Sequence, residues 1–429
     1  MIKGSMGQTA TEKIIAKHTK QSRVTPGEIV SVTVDRVFSH DIFATTVIRE
    51  FQKIGKPLWR PQDVILIVDH DVPSTSADSG AIYQEMTDFA IKWGLKNFYY
   101  GEGVCHQLMP EKGHVGPGEI IIGTDSHTVT YGALGALATG VGSTEMAAIW
   151  SSGTIWLKVP ETIRVVLSGA LQNGVFAKDL ILHLIGLLGS DGCTYKALEF
   201  DGPGVATLSM DERLTIANMV VEMGAKNGIF PVDDITRAYL SSRYFSDYPD
   251  ISSDADAQFC RVISLDMSSI SPKLSGPKRV DDIHDLQSLA GMTIHQGFIG
   301  SCTNGRLEDL RIAARILAGQ SVAPFVKLII SPASRSIYLQ AMDEGLIKIF
   351  LQAGGVVTNP GCGLCFGKLG GVLGAGEVAI CSNNRNFPGR LGHPDAHIYL
   401  ASPASVALSV ITGKITSPIS FFQGELERS

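Results

Sequence analysis

Several features that would place the chain outside the cytosolic proteins are missing from its sequence. No stretch approaches the roughly 18 consecutive apolar residues of a membrane-spanning helix. The first residues, MIKGSMGQTATEKIIAKH, contain no apolar run of the kind that a secretory signal requires. We therefore expect a cytoplasmic protein that makes no membrane contact.

The sequence also lacks the signals for binding nucleic acids and dinucleotides. The 36 Lys and Arg residues and the 42 Asp and Glu residues are interspersed and give a net charge of -6. Without a basic block, we expect no nucleic-acid partner. GVGSTE (140–145) begins like a dinucleotide-binding loop but lacks the third glycine, so we expect it to form a tight turn instead.

Cysteine is scarce: the chain has seven cysteines in 429 residues. This number excludes a disulfide framework as the basis of the fold. Four cysteines stand singly, and for each we expect a buried, small apolar side chain; these are Cys105, Cys193, Cys260 and Cys381. The other three lie in polar or glycine-rich surroundings and are considered below.

The pattern of apolar residues predicts an α/β fold. A chain of this length is typical of two to four domains, and short β-rich apolar runs alternate with helical patterns, which favours mainly parallel sheets. The polar stretch SSISPKLSGPKRVDD (268–282) resembles a linker. We predict three parts, which comprise residues 1–160, 161–280 and 281–429.

Apolar strands run directly into turns of reactive residues at four places. The segments are VILIVDH (64–70), EIIIGTDSH (119–127), HQGFIGSCTNGR (295–306) and EVAICSNNRNFPGR (377–390). Open α/β sheets bind ligands at the carboxyl ends of their strands. These turns therefore predict the position of a functional site.

Three cysteines indicate a metal centre. Cys362 and Cys365 form a C-x-x-C pair in NPGCGLC, a pattern compatible with a redox disulfide, a zinc site or an iron–sulfur cluster. Cys302, in a turn of its own, gives three cysteines, one fewer than a closed four-cysteine site requires. The set predicts one [4Fe–4S] cluster with one iron not bound by protein, available as a Lewis acid. Zinc completed by a histidine stays an alternative.

The remaining polar residues suit acid–base chemistry on a carboxylate substrate. Asp69-His70 and Asp125-Ser126-His127 each place a carboxylate beside an imidazole, which favours a good proton donor. We predict a helix over 216–230 that carries two polar residues on one face, Asn218 and Glu222. The forked guanidinium groups of two arginines match carboxylates and predict a small polycarboxylate substrate; they are Arg385 and Arg390.

Four motifs, GTDSHT, GSCTNGR, NPGCGLC and NNRNFPGR, occur in an order that resembles the aconitase superfamily of hydro-lyases. The resemblance implies an aconitase-like body of three α/β/α domains with a [4Fe–4S] cluster between them. It implies that the cluster ligands are Cys302, Cys362 and Cys365, and that the acid–base residues are Asp69, His70, His106, Asp125, His127 and Glu222. It implies substrate binding by Ser126, Asn218, Asn384, Arg385 and Arg390.

One part of the single-chain relatives has no counterpart after NNRNFPGR. In those proteins a fourth, swivelling domain carries a serine base, whereas this sequence continues for only about 40 residues. The resemblance implies that a separate small subunit supplies that domain. We expect the chain to be inactive by itself.

The resemblance implies reversible loss and re-addition of water on a 2-hydroxy di- or tricarboxylate. Finer motifs, such as GEGVCHQLMPEKG, resemble relatives that interconvert 2-isopropylmalate and 3-isopropylmalate in leucine biosynthesis. Homocitrate and 2,3-dimethylmalate are the alternative substrates; Thr130 weighs against citrate, and His40-Asp41 departs from an expected Asn-Asp. Alternatives of another class are a non-catalytic, cluster-based iron sensor and a structural zinc subunit.

Overall fold

Parallel sheets flanked by helices confirm the predicted α/β class. The computed structural model describes residues 7–249, 251–367 and 370–426. Within these ranges no helix is both long enough and apolar enough to cross a membrane. Three main sheets follow one another along the chain, accompanied by one two-stranded ribbon.

The first sheet contains five parallel strands in the order β4-β3-β2-β5-β6, and β1 pairs with β7 in an antiparallel ribbon. The elements are α1 (Ala10–Lys17), β1 (Ile29–Thr33), β2 (Arg36–His40), α2 (Asp41–Ile54), β3 (Val64–Val68), α3 (Ala77–Trp93), β4 (Asn97–Tyr100), α4 (Cys105–Glu111), β5 (Ile120–Gly123), β6 (Leu137–Gly140), α5 (Ser143–Ser152) and β7 (Thr154–Lys158). Strand β3 is apolar throughout because helices cover both faces of a parallel sheet. It ends immediately before Asp69.

The second sheet contains four parallel strands in the order β10-β9-β8-β11. Its part of the chain contains β8 (Thr162–Ser168), α6 (Ala177–Leu188), β9 (Ala197–Asp201), α7 (Met210–Met219), β10 (Asn227–Ile229), α8 (Asp234–Leu240) and β11 (Arg261–Asp266). The helix predicted over residues 216–230 ends with α7 at Met219, so the prediction is wrong for the residues that follow. A short 3-10 turn, Val220–Met223, follows, and Gly224 at φ 81° ends it because a positive φ cannot continue a helix.

The third sheet contains seven strands in the order β13-β12-β18-β17-β14-β15-β16. Its elements are β12 (Lys273–Ser275), β13 (Ile283–Asp285), β14 (Gln296–Gly300), α9 (Ser301–Asn304), α10 (Leu307–Leu317), β15 (Lys327–Ser331), α11 (Arg335–Asp343), α12 (Leu346–Gln352), β16 (Val356–Val357), β17 (Val378–Cys381), β18 (His397–Leu400), α13 (Pro403–Thr412) and α14 (Ile419–Leu426). The predicted linker over 268–282 is wrong, because β12 lies within it and pairs with β13 and β18. The apolar Leu274 in this polar stretch is fully buried.

Two apolar clusters hold the sheets and helices together. One packs α2, α3 and α5 on a face of the first sheet, and it includes Phe51, Phe89 and Trp150. The other is continuous from the opposite face of that sheet through the second and third sheets. Strand β12 of the third sheet lies before residue 280, so the second predicted part contains strands of two sheets, and the division at residues 160 and 280 stays a prediction.

We predict that Trp150→Ala lowers the free energy of unfolding by about 3–5 kcal/mol. The indole of Trp150 is fully buried, with its ring 5.3 Å from that of Phe89, and its N–H has no hydrogen-bond partner among the described residues, so the loss is one of packing. Urea denaturation followed by circular dichroism measures it. Trp156→Ala is the matched control because Trp156 is 67% exposed, and an equal effect there would contradict this account.

Candidate active site

The carboxyl ends of strands from the first and third sheets meet at one cavity of about 440 Å³. Most of the predicted site residues line it: His70, His106, Asp125, Ser126, His127, Cys302, Cys362, Cys365, Asn384, Arg385 and Arg390. The other three lie behind this wall, and each makes a hydrogen bond to a residue that lines it; these are Asp69, Asn218 and Glu222. The structure therefore brings the whole predicted set together.

The three predicted cluster cysteines share one buried wall of the cavity. None is part of a disulfide. Cys302 is 4%, Cys362 7% and Cys365 2% exposed. Between the paired cysteines, Gly363 adopts φ 63°, and a Cβ there would approach the Ser331 hydroxyl to 2.7 Å. The tight C-x-x-C bend therefore needs glycine at this position.

The acidities of the three thiols differ because they lie close together. A hydrogen bond from Cys362 lowers the pKa of Cys365 well below that of an ordinary thiol, with help from Arg390. The same hydrogen bond, together with burial, raises the pKa of Cys362. Burial and the charge of Cys365 raise the pKa of Cys302 to about 12. The thiols with a raised pKa, Cys302 and Cys362, hold protons that a bound metal would displace.

Side-chain N–H groups surround the sulfur atoms. The Nδ2 of Asn218 lies 3.2 Å from the Sγ of Cys302, and the Nδ2 of Asn384 lies 3.5 Å from the same sulfur. The Nη2 of Arg390 lies 3.7 Å from the Sγ of Cys365. Such donors stabilise thiolates and tune iron–sulfur clusters. Three buried thiols, two of them with side-chain N–H donors, therefore fit the predicted cluster.

Cys302 is held in a strained turn at the end of β14. Ser301, just before it, adopts φ 76°, a left-handed conformation that costs a residue with a side chain about 1–3 kcal/mol. The buried guanidinium of Arg306 donates to the carbonyls of Cys302 and Thr303, both at 2.7 Å, and to the Gln107 amide at 3.1 Å. These bonds offset the strain and fix the cysteine.

His70 is flanked by two buried carboxylates. Its Nδ1 lies 2.7 Å from the Oδ1 of Asp69 and 3.2 Å from the Oδ1 of Asp41. Burial disfavours the imidazolium, but the two carboxylates outweigh it and raise the pKa of His70 well above its ordinary value. His70 therefore carries a proton at neutral pH and presents its other ring edge to the cavity.

A second network links the opposite wall. Asp125 accepts hydrogen bonds from the Nε2 of His106 at 2.9 Å and from the backbone N–H of His127 at 2.7 Å. Glu222 lies 2.8 Å from the Nε2 of His127 and accepts from the Nε of Arg385 at 2.9 Å. Burial opposes ionisation of both carboxyls, but interactions with the histidines lower the pKa of Asp125, and interactions with His127 and Arg385 lower that of Glu222.

Arg385 joins this network to the cavity. Its Nη2 donates to the Oγ of Ser126 at 2.9 Å while its Nε is engaged by Glu222. Arg390 lies over the ring of Phe366, with its guanidinium carbon 5.0 Å from the ring centroid. Both arginines line the same cavity as His70. The arrangement thus combines proton donors with two carboxylate-binding groups.

Sequence reasoning missed residues that the structure places in the site. His40 and Asp41 were noticed only as a departure from an expected motif, yet the ring of His40 stacks on that of His70 with centroids 4.4 Å apart. His40 ends β2 and Asp41 follows it, much as Asp69 and His70 follow β3, and this second pairing of His with Asp at a strand end was the available signal. Gly142, which the sequence assigned to a turn, also lines the cavity.

The expectation of a buried side chain is wrong for one of the four single cysteines. Cys260 is exposed rather than buried, because the segment that contains it leads into β11, an edge strand of the second sheet. Cys105 is buried as expected but lines the cavity, where its backbone N–H donates to Asp69 at 2.6 Å. Cys193 and Cys381 are fully buried, as predicted.

The cavity combines three buried thiols with Asp–His pairs and arginines, the set of residues that the sequence predicts for a hydro-lyase site. The profile of the Aconitase family (aconitate hydratase) matches residues 12–291 and 285–413. The chain belongs to the aconitase family, and membership implies an iron–sulfur cluster.

The chain is similar to large subunits over nearly its full length. A probable 3-isopropylmalate dehydratase large subunit of Methanothermobacter thermautotrophicus is 45% identical over 96% of this chain and 99% of that protein. A 3-isopropylmalate dehydratase large subunit of Syntrophus aciditrophicus is 47% identical over the same shares. A probable methanogen homoaconitase large subunit of M. thermautotrophicus is 44% identical over 95% of this chain and 97% of that protein.

A solved structure supports the fold. The crystal structure of aconitase X from Thermococcus kodakaraensis matches 88% of this chain and 89% of its own with a TM-score of 0.52. At 13% sequence identity this likeness concerns the fold alone.

We predict that Asp41→Asn lowers the pKa of His70 by about one unit or more, because one of two adjacent carboxylates is lost. A raised histidine pKa stabilises the fold at low pH, and this contribution disappears as pH rises through the folded-state pKa. The variant should therefore lose more stability near neutral pH than at alkaline pH. NMR titration of histidine-labelled, cluster-free protein measures the pKa.

Asp71→Asn is the control for this titration. Asp71 is buried beside His70 in sequence, but its carboxylate accepts from the backbone and hydroxyl of Thr75, both at 3.1 Å. Its replacement should leave the pKa of His70 unchanged. If the pKa of His70 is unchanged in Asp41→Asn, the prediction is contradicted and Asp69 alone raises that pKa.

Proposed function

We propose that the chain is the cluster-bearing large subunit of a 3-isopropylmalate dehydratase, a hydro-lyase that interconverts 2-isopropylmalate and 3-isopropylmalate in leucine biosynthesis. The observation that carries the proposal is the convergence of three thiols, a doubly paired His70 and two arginines on one cavity. Sequence identities of 45% and 47% to large subunits of that name support isopropylmalate as the substrate. The cytoplasmic location stays a prediction.

The cofactor that we propose is a [4Fe–4S] cluster held by Cys302, Cys362 and Cys365. When bound, it supplies an iron that lacks a protein ligand and acts as a Lewis acid on the substrate hydroxyl. The protein contributes the thiol wall and the N–H groups of Asn218, Asn384 and Arg390 around it.

The arginines bind and orient the substrate. Arg390 stacks on Phe366 and makes one long N–H···S contact with Cys365. These contacts leave other N–H groups of its guanidinium available to bind a carboxylate. Arg385 is held by Glu222 and Ser126, which fixes the direction of its remaining donors. Fixed carboxylates place the C–O bond that breaks near His70, and such positioning lowers the barrier.

His70 donates the proton that the departing hydroxyl needs. Asp69 and Asp41 keep it protonated and hold the ring so that its Nε2 is the donating atom. After water leaves, the same nitrogen accepts a proton when water adds to the neighbouring carbon. His106, Asp125 and His127 stabilise the released water by hydrogen bonds and return it to the substrate.

The cavity favours a branched apolar substituent over a third carboxylate. Phe43, Val141 and Phe366 lie on its wall. Burial and the charge of His70 lower the pKa of His40, so this extra imidazole is neutral and a weak partner for a carboxylate. Homoaconitase is the second candidate, because a subunit of that name is 44% identical. 2,3-Dimethylmalate, with a smaller substituent, is a third substrate to test.

The partner that we propose is a small subunit with a swivelling domain that carries the serine base. The cavity contains acids and arginines but, within the ranges that the structure describes, its only serine is Ser126, which is engaged by Arg385. This supports the proposal that the base that removes the carbon-bound proton comes from the small subunit. The chain alone should bind the cluster and remain inactive.

We predict that the chain, reconstituted anaerobically with a family small subunit, dehydrates 3-isopropylmalate with a kcat/KM about 100-fold above that for homocitrate. Ultraviolet absorption of the unsaturated product measures the rate, and 2,3-dimethylmalate and the isolated chain are run in parallel. Faster turnover of homocitrate would favour the second candidate. No turnover of any of the three would overturn the proposed function.

We predict that Cys365→Ser abolishes the brown colour and the acid-labile sulfide that the wild-type chain acquires with iron and sulfide. Three thiolates are needed to anchor the cluster, and a serine hydroxyl at this position does not replace the low-pKa thiol. Cys381→Ser is the control, because Cys381 is fully buried outside the cavity. A colourless, zinc-loaded wild-type protein would instead support a structural zinc site.

A further inference from the structure

A lysine with no exposed surface lies behind the active-site loop. Lys178 is the second residue of α6, and its side chain is 0% exposed. A cation at the amino end of a helix is disfavoured by the helix dipole. Burial also lowers the pKa of Lys178 to about 7, although Asp309, Cys365 and Cys302 act in the opposite direction. The protein thus buries an amino group where both effects disfavour its charged form, the ammonium.

Two backbone carbonyls receive this ammonium. The Nζ of Lys178 donates to the carbonyl of Ser382 at 2.8 Å and to that of Asn383 at 2.6 Å. Both carbonyls belong to the loop that follows β17. Among the described residues no carboxylate forms an ion pair with Lys178, so the loop carbonyls are its principal partners.

The loop that Lys178 holds carries active-site groups on its other side. The Nδ2 of Asn384 reaches the Sγ of Cys302 at 3.5 Å, and the Nδ2 of Asn383 reaches the Sγ of Cys365 at 3.7 Å. Arg385 follows directly and contacts Glu222. A shift of the loop backbone would therefore move a carboxylate-binding arginine and two N–H donors at the thiols together.

We propose that Lys178 is a positioning residue, whose buried ammonium clamps the Ser382 and Asn383 carbonyls and so fixes Asn384 and Arg385 against the cysteines and the substrate. It touches neither the substrate nor the thiols and acts through the loop. The kinetic part of this inference rests on the proposed function. The structural part, the immobilisation of the loop, does not.

The test replaces Lys178 with methionine, which keeps the length of the side chain and removes its donors. Hydrogen–deuterium exchange of the 382–386 segment in the full-length, cluster-free chain should become faster than in wild type. In the complex reconstituted with the small subunit, kcat/KM for 3-isopropylmalate should fall about 100-fold, mainly through KM, because a small displacement of a binding group has effects of this size. Lys178→Gln, which retains N–H donors without charge, should recover part of both losses.

Ile181→Ala is the matched control. Ile181 is fully buried one turn further along α6, and it should lower the melting temperature without changing exchange in the 382–386 segment or KM. The positioning role would be contradicted if hydrogen–deuterium exchange of the 382–386 segment were unchanged in both Lys178 variants. Equal changes in Ile181→Ala would contradict it as well. If Lys178→Met does not fold, Lys178→Gln alone decides. Absence of turnover in the wild-type complex would count against the proposed function, and the exchange comparison would still decide the clamp.

Discussion

The site depends on how one buried residue, Asp69, connects three distant segments. Its carboxylate accepts from the backbone N–H of Cys105 at 2.6 Å and from His70 at 2.7 Å, and its carbonyl accepts from the backbone N–H of Cys362 at 2.9 Å. A carboxylate with no exposed surface is costly unless its oxygens are satisfied. Satisfying Asp69 therefore fixes the acid, the amino end of α4 and the C-x-x-C loop relative to one another.

Around this connection the site divides its charges between two walls. On one wall, two carboxylates raise the pKa of His70; on the other, hydrogen bonds and nearby histidines lower the pKa of Asp125, and His127 and Arg385 lower that of Glu222. Neighbouring groups thus shift the pKa values of the imidazole and of the carboxyls in opposite directions. A buried site can in this way hold a proton donor and proton acceptors at the same pH. The thiol wall accepts N–H bonds from Asn218, Asn384 and Arg390.

Local patterns in the sequence predicted the α/β class and the reactive strand ends, because strand and turn signals act over a few residues. The convergence of Cys302, Cys362 and Cys365 was predicted from their number and surroundings together with the resemblance, since residues so far apart have no local signal for contact. The end of α7 was misjudged because Gly224 overrides an apolar helical pattern. Strand β12 was missed because its pairing partners β13 and β18, which lie elsewhere in the chain, define it. The stacking of His40 on His70 depends on β2 and β3 being neighbours.

The dependence of the site on Arg390 and the loop before it has a consequence for biogenesis. Asn218 precedes the three cysteines in the chain, whereas Asn384 and Arg390 follow β17. During synthesis the three thiols therefore emerge before two of the groups that donate N–H bonds to them. The complete thiol wall, with all of these donors in place, exists only once the chain beyond β17 has joined the third sheet.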